Sequence, residues 1–143
     1  LYLPMVVAAG GNTGAQSATM VIRAMALDEL GPPQFFRVVW KEMRIGLILG
    51  GLLGLLVGLQ VRFLLPAGLV GEGVGMLETA LVVGIALSAQ IFTSTIIGAS
   101  LPLLAKAGRL DPAVVASPAI TTIVDVSGSI IYFTLAQFIL RGL

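Results

Sequence analysis

One carboxylate is out of keeping with its surroundings. Asp125 lies in the run Thr121-Thr122-Ile123-Val124-Asp125-Val126-Ser127-Gly128-Ser129, and no other acidic residue sits so far inside an apolar segment. Insertion scales put an aspartate at a bilayer centre at roughly 2.5–3.5 kcal/mol, so carboxylates in such places face a bundle interior or water and mark ion pathways. Thr121, Thr122, Gly128, Ser129 and Tyr132 stand three, four or seven positions from Asp125, which at helical spacing gives that face a polar character. The chemistry offered is coordination of a cation by oxygen. A structural ion pair and a protonated carboxyl group that relays protons are the alternatives. The pair would need a deep Lys or Arg, and the nearest, Arg23, is close to a segment end where it can snorkel.

A second polar interruption is Gly10-Gly11-Asn12-Thr13-Gly14-Ala15-Gln16-Ser17. Each glycine costs a helix roughly 1 kcal/mol relative to alanine, so Gly10, Gly11 and Gly14 around Asn12 favour a local loosening. Loosened backbone exposes carbonyls, which survive in a bilayer only against protein or a water-filled cavity. On that reading the carbonyls of Gly10 and Gly11 and the side chain of Asn12 join the oxygen ligands. On the competing reading Gly10, Gly14 and Ala18 form a small-residue ridge for a close helix crossing. Gly46, Gly50, Gly54 and Gly58 make a second such ridge, read as packing alone. Ser88, Gln90, Thr93, Ser94, Thr95 and Ser100 interrupt a third segment, where hydroxyls can bond their own helix carbonyls. Gln90 and Ser94, one turn apart, are the pair that needs partners. Glu78 reads as a solvated cap at a helix start.

The elements that must hold these groups are helices. The chain has 143 residues, 57% hydrophobic and only 10% charged, with a mean hydropathy of +1.06. Soluble domains carry about 25% charged residues, so lipid is the natural solvent. Four apolar segments, at about 3–26, 44–65, 76–105 and 113–140, each approach the roughly 20 residues that cross a bilayer. The prediction is an all-α, polytopic transmembrane bundle, residues 1–143 forming one ion-conducting domain of four long membrane helices. Phe35 to Glu42 reads as a short amphipathic surface helix. Asp28-Glu29-Leu30-Gly31-Pro32-Pro33, Pro66 to Gly75 and Lys106 to Pro112 carry turn chemistry.

Composition also excludes. Cysteine and histidine are absent, which removes disulfides, thiolate chemistry, zinc sites of the usual kind and histidine acid–base catalysis. Any metal must then be a hard cation taken by oxygen. A net charge of +1 with scattered basic residues offers no phosphate-binding stripe, so no nucleic-acid partner is expected. One carboxylate without a base or nucleophile makes no acid–base pair, so no enzyme is expected.

Orientation follows the excess of Lys and Arg in cytoplasmic loops. Arg23, Arg37, Lys41, Arg44, Lys106 and Arg109 lie on one side and only Arg62 and Arg141 on the other. The C-terminus and Leu1 are thus expected to face outward from a plasma membrane. The chain begins inside an apolar run without a signal sequence, which leads us to expect one more membrane helix and a cytoplasmic region upstream.

These residues resemble a known family. Pro4, Gly10-Gly11-Asn12, Gly14, Gln16 and Ser17 are similar to the signature of the second membrane helix of the MgtE-type magnesium channels. Asp111-Pro112, Pro118, Thr122, Asp125, Gly128, Tyr132 and Phe133 resemble the final helix of that family. The resemblance covers essentially the whole chain, as the last four of five helices. It implies a homodimer whose pore runs along the two-fold axis, lined by the first and last segments here, with the central aspartate at Asp125. It implies a cytoplasmic sensor with paired CBS modules, of which this sequence holds no trace. The expected cargo is Mg2+, with Mn2+ or Ca2+ as surrogates, and the expected ligand set is Asp125, Thr121, Thr122, Asn12, Gly10 and Gly11. Magnesium dehydrates reluctantly, so outer-sphere contacts to a hydrated ion suit this sparse set. A proton- or sodium-coupled transporter that titrates Asp125, and a non-conducting membrane scaffold, are the rival readings.

Overall fold

The computed structural model describes residues 1–27, 30, 34–70 and 74–142. Four helices run in order, α1 (Leu3–Ala26), α2 (Phe35–Leu64), α3 (Met76–Ala107) and α4 (Pro112–Gly142). A short 3₁₀ turn at Ala67–Leu69 follows α2. Among the described residues there is no strand. Of the expected turn residues, 28, 29, 31–33 and 71–73 lie outside the described residues.

The helix ends follow local chemistry. Pro4 occupies the first turn of α1, where its missing N–H is harmless. At the start of α3 the carboxylate of Glu78 accepts the Gly75 N–H at 3.0 Å, the capping role expected of it. The end of α3 closes with Leu110 N–H donating to Ala105 O at 2.9 Å and Arg109 in the left-handed region at φ 58. Asp111 then caps α4, its Oδ1 accepting the Ala113 N–H at 2.9 Å.

Two expectations are corrected. Phe35 to Glu42 is no separate surface helix but the first two turns of α2. The stretch from Phe35 to Arg44 contains no Gly or Pro that would end a helix there. The Gly10 to Gly14 stretch is not loosened either, because α1 is continuous through it. The glycines are used for contact instead. A Cβ on Gly14 would lie 3.1 Å from the Ser94 carbonyl oxygen, and a Cβ on Gly98 would collide with the Gly14 carbonyl.

The core is α3. It touches each of the other helices, while α1 also packs on α4. Of the most apolar eighteen residues in each helix, 56% are buried in α3, against 17% in α2 and 11% in α4. A helix apolar on all sides belongs inside. Along α2, Gly46, Gly50 and Gly54 are buried, and a Cβ on any of them would strike Thr95 or Ser88. This is the expected ridge, and it bears on α3 alone. The opposite face of α2 exposes Leu47, Ile48, Leu52, Leu55, Leu56 and Phe63.

Helices α2, α3 and α4 are each long and apolar enough to cross a membrane. Helix α1 has the length, 24 residues, but its central polar run lowers its hydropathy below that of the other three.

Candidate metal-ion site

Helices α1 and α4 run antiparallel in a register that contacts fix. Ala18 packs with Ala116 and Ile120, Gly14 approaches Ile120, and Gly128 approaches Val7. The paired numbers sum to about 134–138, so Asn12 lies level with about Thr122, and Asp125 about one turn (~5 Å) further along. With α4 continuous from Pro112, Asp125 stands about 20 Å into the helix, at mid-span. Pro118, inside α4, does not end the helix.

Asp125 is exposed on the outer face of the bundle. Its carboxylate has no hydrogen-bond or ion-pair partner among the described residues. Thr121 and Thr122 are exposed beside it, their hydroxyls donating to Ser117 O at 3.2 Å and Pro118 O at 3.1 Å. Those hydroxyl protons are tied down, so each oxygen turns lone pairs outward. Ser129 Oγ likewise donates to Asp125 O at 3.0 Å. A hydrated cation presents only donors, the protons of its waters, and this face presents acceptors.

Asn12 is exposed on α1 and lines an open groove of about 550 Å³ with Ala15, Gln16, Thr19 and Met20. The outer stripe of α1 is therefore small and polar where that of α2 is leucine-rich. Gly11 is half-buried with open space beside its Cα. Gly10 is placed differently. It is buried, and a Cβ there would lie 2.5 Å from Gln90 Nε2, so its closest contact is with α3. The structure thus brings Asp125, Thr121, Thr122 and Asn12 to one depth on neighbouring exposed faces, and sets Gly10 behind them.

Sequence reasoning singled out Gln90 and Ser94 without partners. Gln90 Nε2 donates to Val124 O at 2.8 Å, and Ser94 Oγ lies 2.9 Å from Thr13 Oγ1. It missed Glu42 altogether. Ser17, 4% exposed, donates to Glu42 Oε2 at 2.7 Å and lies 3.1 Å from Thr95 O, which ties α2 to α1 across α3. The signal was the position of Ser17 on the Gly10, Gly14, Ala18 side of α1, a face that turns out to be buried.

Among the described residues no three acidic side chains gather in one chain. A groove of about 370 Å³ between α2 and α3 is lined mainly by apolar residues such as Leu55, Leu81 and Ile85, with Ser88 and Arg62 and no carboxylate.

Known proteins are similar to this chain along almost its whole length. The MgtE family, described as divalent cation transporter, matches residues 3–135. The "Magnesium transporter MgtE" of Thermus thermophilus is 38% identical over 141 residues, covering 99% of this chain and 29% of that protein. The proteins of the same name from Bacillus subtilis and Enterococcus faecalis are each 28% identical over 99% of this chain, which covers 30% and 29% of them. The chain spans less than a third of the length of these relatives. The match of the family over residues 3–135, beside relatives aligned over 99% of the chain, shows that the chain belongs to the MgtE family of divalent cation transporters.

Proposed function

We propose that this domain conducts hydrated Mg2+ along the exposed polar face of α1 and α4, closed into a pore by the same face of a second copy. The observation that carries this reading is Asp125, exposed at the middle of an apolar helix with no partner for its charge among the described residues. Left against lipid it would cost several kcal/mol. Set across a two-fold axis from its counterpart, it lines water. Two carboxylates supply the charge, while Thr121, Thr122 and Asn12 supply neutral acceptors for the ion's water shell. Gly11, with nothing near the place of a side chain, leaves room for the ion's water shell, and Gly10 supports the set from behind.

The magnitude is modest per group. Unit charges 4 Å apart interact by about 1 kcal/mol in water, so a divalent ion gains about 2 kcal/mol from each carboxylate and about 4 kcal/mol from two. At 1.4 kcal/mol per decade that is about a thousandfold in occupancy. The membrane is the plasma membrane in this reading, with α1 starting and α4 ending on the outer side.

The test is Mg2+ flux into liposomes by the full-length protein, wild type against Asp125→Asn. Loss of flux by two orders of magnitude or more, with the folded dimer retained, is the expected outcome. Wild-type flux in the variant would sink the role of Asp125 on which the reading rests, and no flux from either protein would leave a scaffold. Flux that moves only in exchange for protons or sodium would replace the channel with a coupled transporter. Mn2+ and Ca2+ are the surrogates to compare in the same assay.

A further inference from the structure

Behind the exposed face, Gln90 is fully buried where α1, α3 and α4 meet. Its Nε2 donates to the carbonyl of Val124 at 2.8 Å. That carbonyl already receives the hydroxyl of Ser127 at 3.1 Å and, in a regular helix, the N–H of Gly128. The C=O of Val124 and the N–H of Asp125 belong to one rigid peptide plane. Gln90 therefore grips the peptide unit from which the Asp125 side chain departs.

The notch that admits the amide is cut by two glycines. A Cβ on Gly10 would lie 2.5 Å from Nε2, and a Cβ on Gly128 would lie 2.8 Å from it. Its other end, Oε1, is buried with no hydrogen-bond partner among the described residues. A methionine has nearly the same length, would fill the same notch and would leave no acceptor unpaired. It could not hold the Val124 carbonyl. The glutamine thus carries a burden that packing does not require. One turn away, Ser94 Oγ meets Thr13 Oγ1 at 2.9 Å, so α3 holds the ion-facing helices from one row of side chains.

The geometry points to Gln90 as the positioning residue of Asp125, setting the height and rotation of the carboxylate through the Val124–Asp125 peptide and so the fit of the hydrated ion. This inference rests on the conduction reading above. A site that recognises an ion by its water shell is sensitive to small displacements of its acceptors, so the consequence falls on selectivity before it falls on folding.

The experiment is bi-ionic Mg2+ and Ca2+ flux in liposomes with full-length protein carrying Gln90→Met. The expected result is a drop in Mg2+ preference over Ca2+ of about tenfold, equivalent to ~1.4 kcal/mol, with an unchanged thermal midpoint. Gly128→Ala keeps Gln90 but crowds its Nε2, and it is expected to shift the ratio in the same direction. If Gln90→Met yields no folded protein, Gly128→Ala decides alone. An unchanged ratio, with flux following only the amount of folded protein, would make Gln90 a simple strut and overturn the inference. Asp125→Asn run in parallel separates the two failures. Wild-type flux there refutes the conduction reading itself, whereas lost flux there with an unchanged ratio in Gln90→Met refutes only the role of Gln90.

Discussion

Gly50 and Gly51 are neighbours on α2, and the structure predicts opposite outcomes when each is changed to alanine. Both substitutions gain about 1 kcal/mol of helix propensity. At Gly51 nothing lies within 4 Å of the new Cβ, so that gain stands. At Gly50 the new Cβ would lie 2.7 Å from the Ser88 carbonyl oxygen, which is backbone and cannot swing away. Relief requires α2 and α3 to separate, and overpacking of this kind costs about 1–3 kcal/mol. Separation also stretches the bond from Ser88 Oγ to Gly50 O, now 2.9 Å, whose loss adds about 0.5–1.5 kcal/mol. Because the propensity gain is common to both, the two variants should differ by about 1.5–4.5 kcal/mol, with Gly50→Ala the weaker. At 2–4 °C per kcal/mol a gap of 3 kcal/mol is about 6–12 °C in thermal midpoint. Fluorescence of detergent-solubilised protein reads it through Trp40, the single tryptophan, which lies on α2 itself. A Gly50→Ala midpoint equal to or above that of Gly51→Ala would refute the packing of α2 on α3 described above.

Gly98→Ala should separate α1 from α3, since its Cβ collides with the Gly14 carbonyl, and lower stability by about 1–3 kcal/mol in the same thermal assay. Because α1 carries Asn12, Mg2+ flux per folded molecule should fall with it, and unaltered flux would count against Asn12 lining the path. Ser17→Ala removes the donor to Glu42 Oε2, a charge-assisted bond whose loss costs about 1.5–3 kcal/mol. Glu42→Gln keeps an acceptor there and should cost less, so equal midpoints for the two variants would show that the bond contributes nothing.

The helices were legible because long apolar runs are separated by Gly, Pro and charge, and three of the four are apolar enough to cross a membrane. The deep carboxylate was legible because its type conflicts with its surroundings. The two glycine runs look alike in composition, and their local effect was misjudged in one of them. Propensity favours loosening at Gly10 to Gly14, but propensity is paid residue by residue, while a close crossing returns contact along a whole face. Here Gly14 and Gly98 let α1 and α3 approach until backbone meets backbone, and the helix stays whole. A similar limit applied to Phe35 to Glu42, whose amphipathic pattern marks a face but cannot say whether the helix continues into the apolar run that follows.

Sequence alone, then, determined that this protein is a set of long helices, most of them apolar enough to span a bilayer, with one carboxylate out of keeping with its surroundings, because the cost of burying charge and the length of a bilayer depend on residue type and count. Tertiary structure decided which polar groups face outward and which face in. Asp125, Thr121, Thr122 and Asn12 are exposed while Gln90 and Ser94 are buried, and no spacing in the chain distinguishes the two groups. That choice depends on which faces of α1 and α4 the glycines allow α3 to occupy, and such contacts join residues as distant in the chain as Gly14 and Gly98.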